Sequence, residues 1–436
     1  MMDRLDIFLG DRPVGTLTVE DQGRLRFAYA GSDVPPLSLS LPVRAEPYAD
    51  EACRPFFAGL LPEGEALRHA AANKRLQPYE TFRLLEAYGG ECAGAVRLLP
   101  PGAAPTIAAD YELMDDADLA QLARRLPTDP NFSSDGRVRL SLAGAQAKTA
   151  VTIFDDCIFR PLGGSPSTHI VKIAANSDYA DIVRNEAFCM RLAERMGLDV
   201  APVALRAFGG IPCLLVTRYD RVVDGHHHVT EQHQEDMCQA LGHPPERKYQ
   251  FDDQGAQIGP ALPDCLALLK RVRVPALAEQ EFRRRVLFNF LIGNADAHAK
   301  NSSLLYEEPS RAPILAPAYD LVCTRIYPTL TEDFAMAIGA ARRASDITLA
   351  DIEGLAPSTA AGRRAFLSEA YRMASTIVLQ ARALCQEPPF SEKAPFGHIL
   401  SCIGQRAMQL GEIIGKPVTV DTRPFALRGG GWLQGS

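Results

Sequence analysis

The sequence predicts an α+β fold of bilobal plan, with an N-terminal β-rich subdomain and a mostly helical C-terminal lobe. Three observations predict it. Hairpin-like runs dominate the first hundred residues, strand patterns surround a single helix over 138–219, and beyond Val222 the apolar spacing turns helical. The 436 residues, 47% hydrophobic and 23% charged, are ample for two or three domains with real cores. The chain divides into 1–105, 106–220 and 221–436, and the polar, turn-rich stretch 128–136 marks a break inside the second part.

In chain order, 5–9 reads as a strand, Asp11-Arg12-Pro13 as a turn and 17–19 as its return, before Asp21-Gln22-Gly23 turns into a strand over 25–29. Residues 35–42 alternate Leu37, Leu39 and Leu41 with Ser38 and Ser40 between prolines, the period of two of an edge strand. Helices follow over 51–59 and 79–88, then a strand over 94–99 and an amphipathic helix over 115–125. A helix over 181–196 stops at Gly197, as helix C-termini do. In the helix 279–293, Phe282, Val286, Leu287, Phe290 and Leu291 share one face, and Arg283, Arg284 and Arg285 are expected on a solvated one. The glycine-rich segment 428–432 reads as a mobile tail.

Charge narrows the function classes. There are 53 acidic against 46 basic residues, a formal charge of −7. That balance disfavours autonomous DNA binding, which needs a phosphate-neutralising basic excess. Acids in Met1-Met2-Asp3-Arg4-Leu5-Asp6 do not suit a signal peptide, and no run approaches the roughly 18 apolar residues of a membrane span. A cytoplasmic protein without membrane contact is expected. Ten scattered cysteines form no C-x-x-C pair and read as buried free thiols. His226, His227, His228 and His233 lack the acid-and-cysteine framework of a metal site and are expected to be solvated.

Four stretches carry chemistry. An abrupt polar cluster, Gly293-Asn294-Ala295-Asp296-Ala297-His298-Ala299-Lys300-Asn301, follows the apolar helix. Asp296 and Asn301 stand five positions apart, the spacing at which a kinase Asp accepts the acceptor's proton and an Asn ligates Mg²⁺. A capped polar turn produces the same spacing. Strands over 303–306 and 314–318 would return the chain so that Asp320 shares that ion, although an N-cap aspartate is an equal reading. In Thr168-His169-Ile170-Val171-Lys172-Ile173, a lysine inside a β-branched strand needs an anion, either a nucleotide phosphate or Glu186 on the next helix. An edge-strand gatekeeper lysine is the alternative. The small residues of Ser141-Leu142-Ala143-Gly144-Ala145-Gln146-Ala147-Lys148 suit a phosphate-cradling loop or a plain turn. Each piece alone is weak. Their order, with the apolar run ending Thr217-Arg218-Tyr219 between them, is the layout of a bilobal protein kinase.

On these runs, together with Arg218-Tyr219-Asp220-Arg221, Gln234-Glu235-Asp236-Met237-Cys238-Gln239 and Ala318-Tyr319-Asp320, the sequence resembles the HipA family of kinase toxins from type II toxin–antitoxin pairs. The N-terminal runs 36–42, 57–62 and 94–96 extend the resemblance over nearly the full chain. The resemblance implies a protein-kinase-like fold with ATP between the lobes, Asp296 as catalytic aspartate, and Asn301 and Asp320 as Mg²⁺ ligands. Lys172, ion-paired with Glu186, would hold the phosphates, and Ala143, Gly144, Ala145, Gln146, Ala147 and Lys148 would form the phosphate loop. Thr217, Arg218 and Tyr219 would meet adenine through backbone groups, while His298, Ala299, Lys300 and Tyr319 would border the nucleotide. The linker position often acidic in relatives is Thr217 here, which alters only side-chain contacts. Ser141 stands where the family autophosphorylates, and roughly two added negative charges beside a phosphate cradle would repel ATP.

The implied function is an ATP-dependent serine/threonine protein kinase acting on a translation component such as an aminoacyl-tRNA synthetase. The implied partner is a HipB-like helix-turn-helix antitoxin through which DNA is contacted indirectly. Two other readings share these residues: a small-molecule kinase of related fold, and a catalytically idle co-regulator that only binds an antitoxin.

Overall fold

Alternating apolar residues close the first sheet. The computed structural model describes residues 3–105, 110–127, 147–174, 179, 181–308, 312–391 and 396–420. Strands β1 (Asp3–Leu9), β2 (Arg12–Val19) and β3 (Leu25–Tyr29) form an antiparallel meander that buries Leu5, Ile7, Leu17 and Phe27 on one face. A Cβ at Gly15 would lie 2.5 Å from the Ala28 carbonyl oxygen and 2.7 Å from the Phe27 ring, so only glycine fits there. Helices α1 (Asp50–Ala58), α2 (Gly64–Asn73) and α3 (Thr81–Tyr88) complete this core with Phe56, Phe57, Leu85 and Tyr88, and β4 (Val96–Leu99) adds to β1. The expected edge strand over 35–42 is absent; one isolated bridge, Ser38 to Leu41, replaces it. Leu37 and Leu41 sink into the N-terminal core while Ser38 and Ser40 bond toward the C-terminal lobe, so the alternation records packing on two sides, not sheet pairing.

The second sheet is built from β5 (Asp110–Leu113), β6 (Lys148–Phe154), β7 (Cys157–Leu162), β8 (His169–Ile173), β9 (Val203–Phe208) and β10 (Ile211–Thr217), in the order β5-β7-β6-β8-β10-β9. Helix α4 (Asp116–Arg125) starts at a capping box in which Asp115 accepts the Asp118 N–H at 2.9 Å. Helix α5 (Ile182–Arg195) hands over to Gly197 at φ +74°. Register sets Lys148 and Leu214 on either side of Lys172.

The remainder is mainly helical. After the hairpin β11 (Arg221–Val223) and β12 (Val229–Glu231) come β13 (His233–Asp236), α6 (Met237–Leu241), α7 (Leu262–Leu268) and α8 (Pro275–Ile292). The predicted outgoing and returning strands are β14 (Ser303–Tyr306) and β15 (Ile314–Leu315), and β13 joins them as an unforeseen third. Helices α9 (Leu349–Leu355), α10 (Ala360–Leu384) and α11 (Phe396–Ile413) pack around α8. None of the described helices is long and apolar enough to cross a membrane. All ten cysteines are free, with Cys157 exposed and the others buried.

Two expectations are corrected here. The arginine run on α8 is not a solvated face. Arg285 is buried and donates to the carbonyls of Ala316 (2.8 Å) and Asp199 (3.3 Å), Arg284 to those of Met196 and Gly197, and Arg283 to that of Leu355. These guanidiniums take up carbonyl groups that helix and strand ends leave unpaired. His233 is likewise buried, with Nε2 2.8 Å from the Leu37 carbonyl and its ring stacked on Tyr306; His226, His227 and His228 are exposed as expected.

Buried charge joins the N-terminal subdomain to the rest. Arg218 bonds Glu91 (2.9 Å) and Asp220 (2.9 Å), Arg221 bonds Glu91 (3.3 Å) and Asp220 (2.9 Å), and Arg97 bonds Glu231 (2.7 Å). Asp220 also accepts the Gly94 N–H at 2.7 Å. Desolvating these ions costs several kcal/mol each, and mutual pairing offsets it. A second seam is Glu235, which accepts from Ser38 Oγ (2.5 Å), Tyr306 Oη (2.5 Å) and the Leu39 N–H (3.0 Å). Burial pushes its carboxyl from 4.5 up to about 7, against the pull of these donors. Its stabilising contribution is therefore full below pH 4.5 and is lost as pH rises through about 7. In urea unfolding, Glu235→Gln should gain on the order of 3 kcal/mol relative to wild type between pH 4.5 and 8; parallel pH profiles would contradict this.

Candidate active site

Helix α8 delivers the catalytic-loop candidate. It ends at Gly293 with φ +70°, where a Cβ would lie 2.5 Å from Cys402 Sγ, so glycine is required on both conformational and steric grounds. The loop is then pinned group by group. Asn294 donates to Asn289 Oδ1 (2.9 Å) and accepts the Asp296 N–H (3.0 Å), and the Ala295 N–H donates to Thr324 Oγ1 (2.8 Å). Asn301 Nδ2 donates to the Asp296 carbonyl at 2.9 Å, which ties the two ends of the D-x-x-x-x-N spacing together. The hydroxyl of Tyr249 donates to Asp296 Oδ1 at 2.8 Å.

Opposite lies a buried ammonium. Lys172 on β8 donates to Glu186 Oε1 of α5 at 2.6 Å and also to Asp320 Oδ1. Asp320 follows β15 in the left-handed region, φ +54°, a conformation uncommon for a non-glycine residue. Burial alone would raise its carboxyl, but Lys172 and Lys148 beside it hold it well below the usual carboxylate range. Burial alone would likewise lower Lys172, and the two carboxylates keep it firmly protonated. Lys148, the first residue of β6, is lowered chiefly by burial.

These groups share one cavity of about 320 Å³, lined by Lys148, Lys172 and Glu186 from one lobe, Thr217, Arg218 and Tyr219 from the linker, and Asp296, His298, Lys300, Asn301, Tyr319 and Asp320 from the other. Desolvation by the walls raises the Asp296 carboxyl, against the pull of the Tyr249 hydroxyl and Lys248. Burial lowers His298 to about 3, helped by Lys248 and Lys300, so its imidazole is neutral. Arg218 turns its guanidinium toward Glu91, which leaves only its backbone for the cavity. Tyr219 stacks on Tyr319, ring centres 5.9 Å apart, and Tyr319 donates to the Lys300 carbonyl at 2.7 Å. Lys300 itself is buried, its ammonium 2.5 Å from Asp236 Oδ2. Ala299 and Ala147 lie in hydrophobic cores, not among the lining residues. Ser141, Ala143, Gly144, Ala145 and Gln146 lie outside the described residues.

Three residues at the site have no counterpart in the sequence analysis. Lys248 and Glu63 line the cavity, Lys248 from the segment after α6 and Glu63 from the N-terminal subdomain, 2.8 Å from Lys248 Nζ, while Tyr249 does not line it and reaches it only through its bond to Asp296. Their only signal in sequence is a Lys-Tyr pair in a loop and an acid before a glycine.

The oxygen donors suit a hard cation. Asn301 uses its amide nitrogen as donor to the Asp296 carbonyl, so its oxygen is the half available to a metal, and Asp320 lines the same cavity. Among the described residues no three His, Cys, Asp or Glu side chains form a self-sufficient cage. Mg²⁺ needs none, since one or two protein oxygens plus substrate phosphates hold it.

Family models agree with this architecture. That of the HipA-like C-terminal domain matches residues 140–383, and that of the HipA N-terminal domain matches residues 5–99. The chain belongs to the HipA family. Similar proteins include Y4mE of Sinorhizobium fredii, which carries a kinase name and is 41% identical over 360 residues, 80% of this chain and 83% of its own. The serine/threonine-protein kinase toxin HipA of Shewanella oneidensis is 31% identical over 354 residues, 77% of this chain and 78% of its own. A solved complex of HipA, HipB and operator DNA from Shewanella oneidensis contains a chain that superposes with TM-score 0.80 at 27% identity, covering 94% of this chain and 98% of that one. The fold is thus the α+β, bilobal, kinase-like HipA fold, and the N-terminal HipA match ends where β4 ends.

The Tyr249 contact has a measurable consequence. Removing a donor to the ionised carboxylate raises its pKa, so in Tyr249→Phe the Asp296 carboxyl should titrate at higher pH, followed through its ¹³C chemical shift. An unchanged titration would mean that the hydroxyl does not bond the carboxylate in solution.

Proposed function

We propose that this chain is a cytoplasmic, ATP- and Mg²⁺-dependent serine/threonine protein kinase and the toxin of a toxin–antitoxin pair. The reading rests above all on the convergence of Asp296, Asn301, Asp320 and the Lys172–Glu186 pair on one cavity. Asp296, oriented by Tyr249 and by the loop bonds around it, accepts the proton of the acceptor hydroxyl as its oxygen attacks the γ-phosphorus. Lys172 offers its charge to the nucleotide phosphates, and the backbone of Thr217, Arg218 and Tyr219 meets adenine. Asn301 and Asp320 would hold Mg²⁺, which neutralises charge on the phosphate oxygens.

The resemblance supplies the finer roles. Ser141 is the autophosphorylated residue, in the loop Ala143, Gly144, Ala145, Gln146, Ala147 and Lys148 that cradles phosphate. The acceptor in trans is a translation component such as an aminoacyl-tRNA synthetase. The partner is a HipB-like helix-turn-helix antitoxin, supported by the likeness to a HipA chain solved with HipB and operator DNA. A net charge of −7 agrees with leaving the DNA contact to that partner.

Transfer of label from [γ-³²P]ATP to protein tests the reading. Asp296→Asn should lower phosphoryl transfer by roughly 10²–10⁴-fold with an unchanged thermal midpoint; wild-type turnover in that variant would sink the assignment. Ser141→Ala should remove the main phosphopeptide of the purified protein and prolong activity, and a phosphopeptide mapping elsewhere would take Ser141 out of that role.

A further inference from the structure

Most cations around the cavity are already committed to carboxylates. Lys172 is held by Glu186 and Asp320, Lys300 by Asp236, and Arg218 by Glu91 and Asp220. Lys148 stands on the N-lobe strand, paired across from Lys172 and beside Asp320. His298 is neutral. None of these puts a mobile positive charge on the Asp296 side, where an acceptor hydroxyl and a phosphoryl group would meet.

Lys248 does. It adjoins Tyr249, whose hydroxyl is bonded to Asp296, and it lines the same cavity. Its segment is firmly placed: the Ala299 N–H donates to the Lys248 carbonyl (3.4 Å), the Gln250 N–H to the Ala335 carbonyl (2.9 Å) and the Ala337 N–H to Gln250 Oε1 (2.8 Å). A Cβ on Gly259 would come within 2.2 Å of the carbonyl oxygens of Arg247 and Tyr249, so the neighbouring chain closes on this segment as only glycine allows. An ammonium carries three donors. Among the described residues, one goes to Glu63 Oε2 at 2.8 Å and no other hydrogen bond is made.

Glu63 is unusual in turn. It precedes α2 in the N-terminal subdomain, and its Oε1 is buried without a hydrogen-bond partner, 3.8 Å from Lys300 Nζ. An under-satisfied buried carboxylate oxygen is costly to keep. Here it holds Lys248 by one oxygen only, which leaves the ammonium oriented yet free to donate into the cavity.

We propose that Lys248 is a catalytic residue that binds the oxygens of the phosphoryl group in transit, and that Glu63 of the N-terminal subdomain is its positioning residue. The inference rests on the kinase reading above. The bond that forms joins the acceptor oxygen to the γ-phosphorus. The bond that breaks joins the γ-phosphorus to the β–γ bridging oxygen, which leaves on ADP with the electron pair. The acceptor proton goes to Asp296, and Lys248, aimed by its Glu63 contact, donates to the oxygens on which charge develops.

Steady-state kinetics of the full chain, with ATP and the protein's own phosphorylation or a generic protein acceptor, test both roles. Lys248→Met should lower kcat by roughly 10²–10³-fold, the scale of losing one charge-stabilising donor, while the affinity for a fluorescent ATP analogue stays within about twofold. Lys248→Arg, which keeps the charge, should recover part of kcat and decides the matter should the Met variant fold poorly. Glu63→Gln should lower kcat about tenfold at an unchanged thermal midpoint. In the double variant Lys248→Met with Glu63→Gln, kcat should be no lower than in Lys248→Met alone, because Glu63 acts through Lys248. A wild-type kcat in Lys248→Met or Lys248→Arg overturns the catalytic role, and an additive further loss in the double variant overturns the positioning role. A wild-type protein that binds ATP and phosphorylates no protein at all overturns the kinase reading, and this inference with it.

Discussion

The cleft depends on one buried ammonium. Lys172 is buried in a sheet at the wall of the cavity, and its charge is met by Glu186 from α5 and Asp320 from the loop after β15. An ion in that position tolerates little displacement of either partner, because an uncompensated buried charge costs several kcal/mol. A strand, the helix that follows it and a loop 148 residues beyond the lysine are thereby held in register. The left-handed backbone at Asp320 is part of the same constraint, since it turns the carboxylate back toward the sheet.

The same economy runs through the rest of the molecule. Arg218, just after β10, is held from the N-terminal subdomain by Glu91, and Lys248 and Lys300 are approached from the same subdomain by Glu63. The three arginines of α8 clamp chain ends that would otherwise leave carbonyls bare. Polar contacts position a cleft whose apolar cores lie further out.

What could be read from sequence divides along the range of the interactions. That Asp296, Asn301 and Asp320 would come together was legible, because a five-residue spacing and a following hairpin return the chain on itself. The Lys172–Glu186 pairing was legible because a lysine in a β-branched strand has to find an anion. The first hairpins followed from their turn residues, and the end of α5 from Gly197. Residues 35–42 misled because burial on two sides by two different lobes imitates a strand's alternation. The α8 arginines misled because nothing local reveals that carbonyl groups from elsewhere face them. The alanine-rich α2 shows too weak an apolar stripe to declare itself. Glu63, Lys248 and Tyr249 gave no warning, since each lies outside any periodic run and acquires meaning only where separate segments meet.

The seam made by Glu91, Arg97, Arg218, Asp220, Arg221 and Glu231 has one more implication. It is dry, yet it is made of ions and not of oily side chains. Were the two parts to come apart, the newly bared surfaces would hydrate readily instead of sticking to other molecules. Parting would be opposed by the loss of matched charges, and rejoining would be guided by attraction that acts before contact, so the joint is suited to reopening without aggregation.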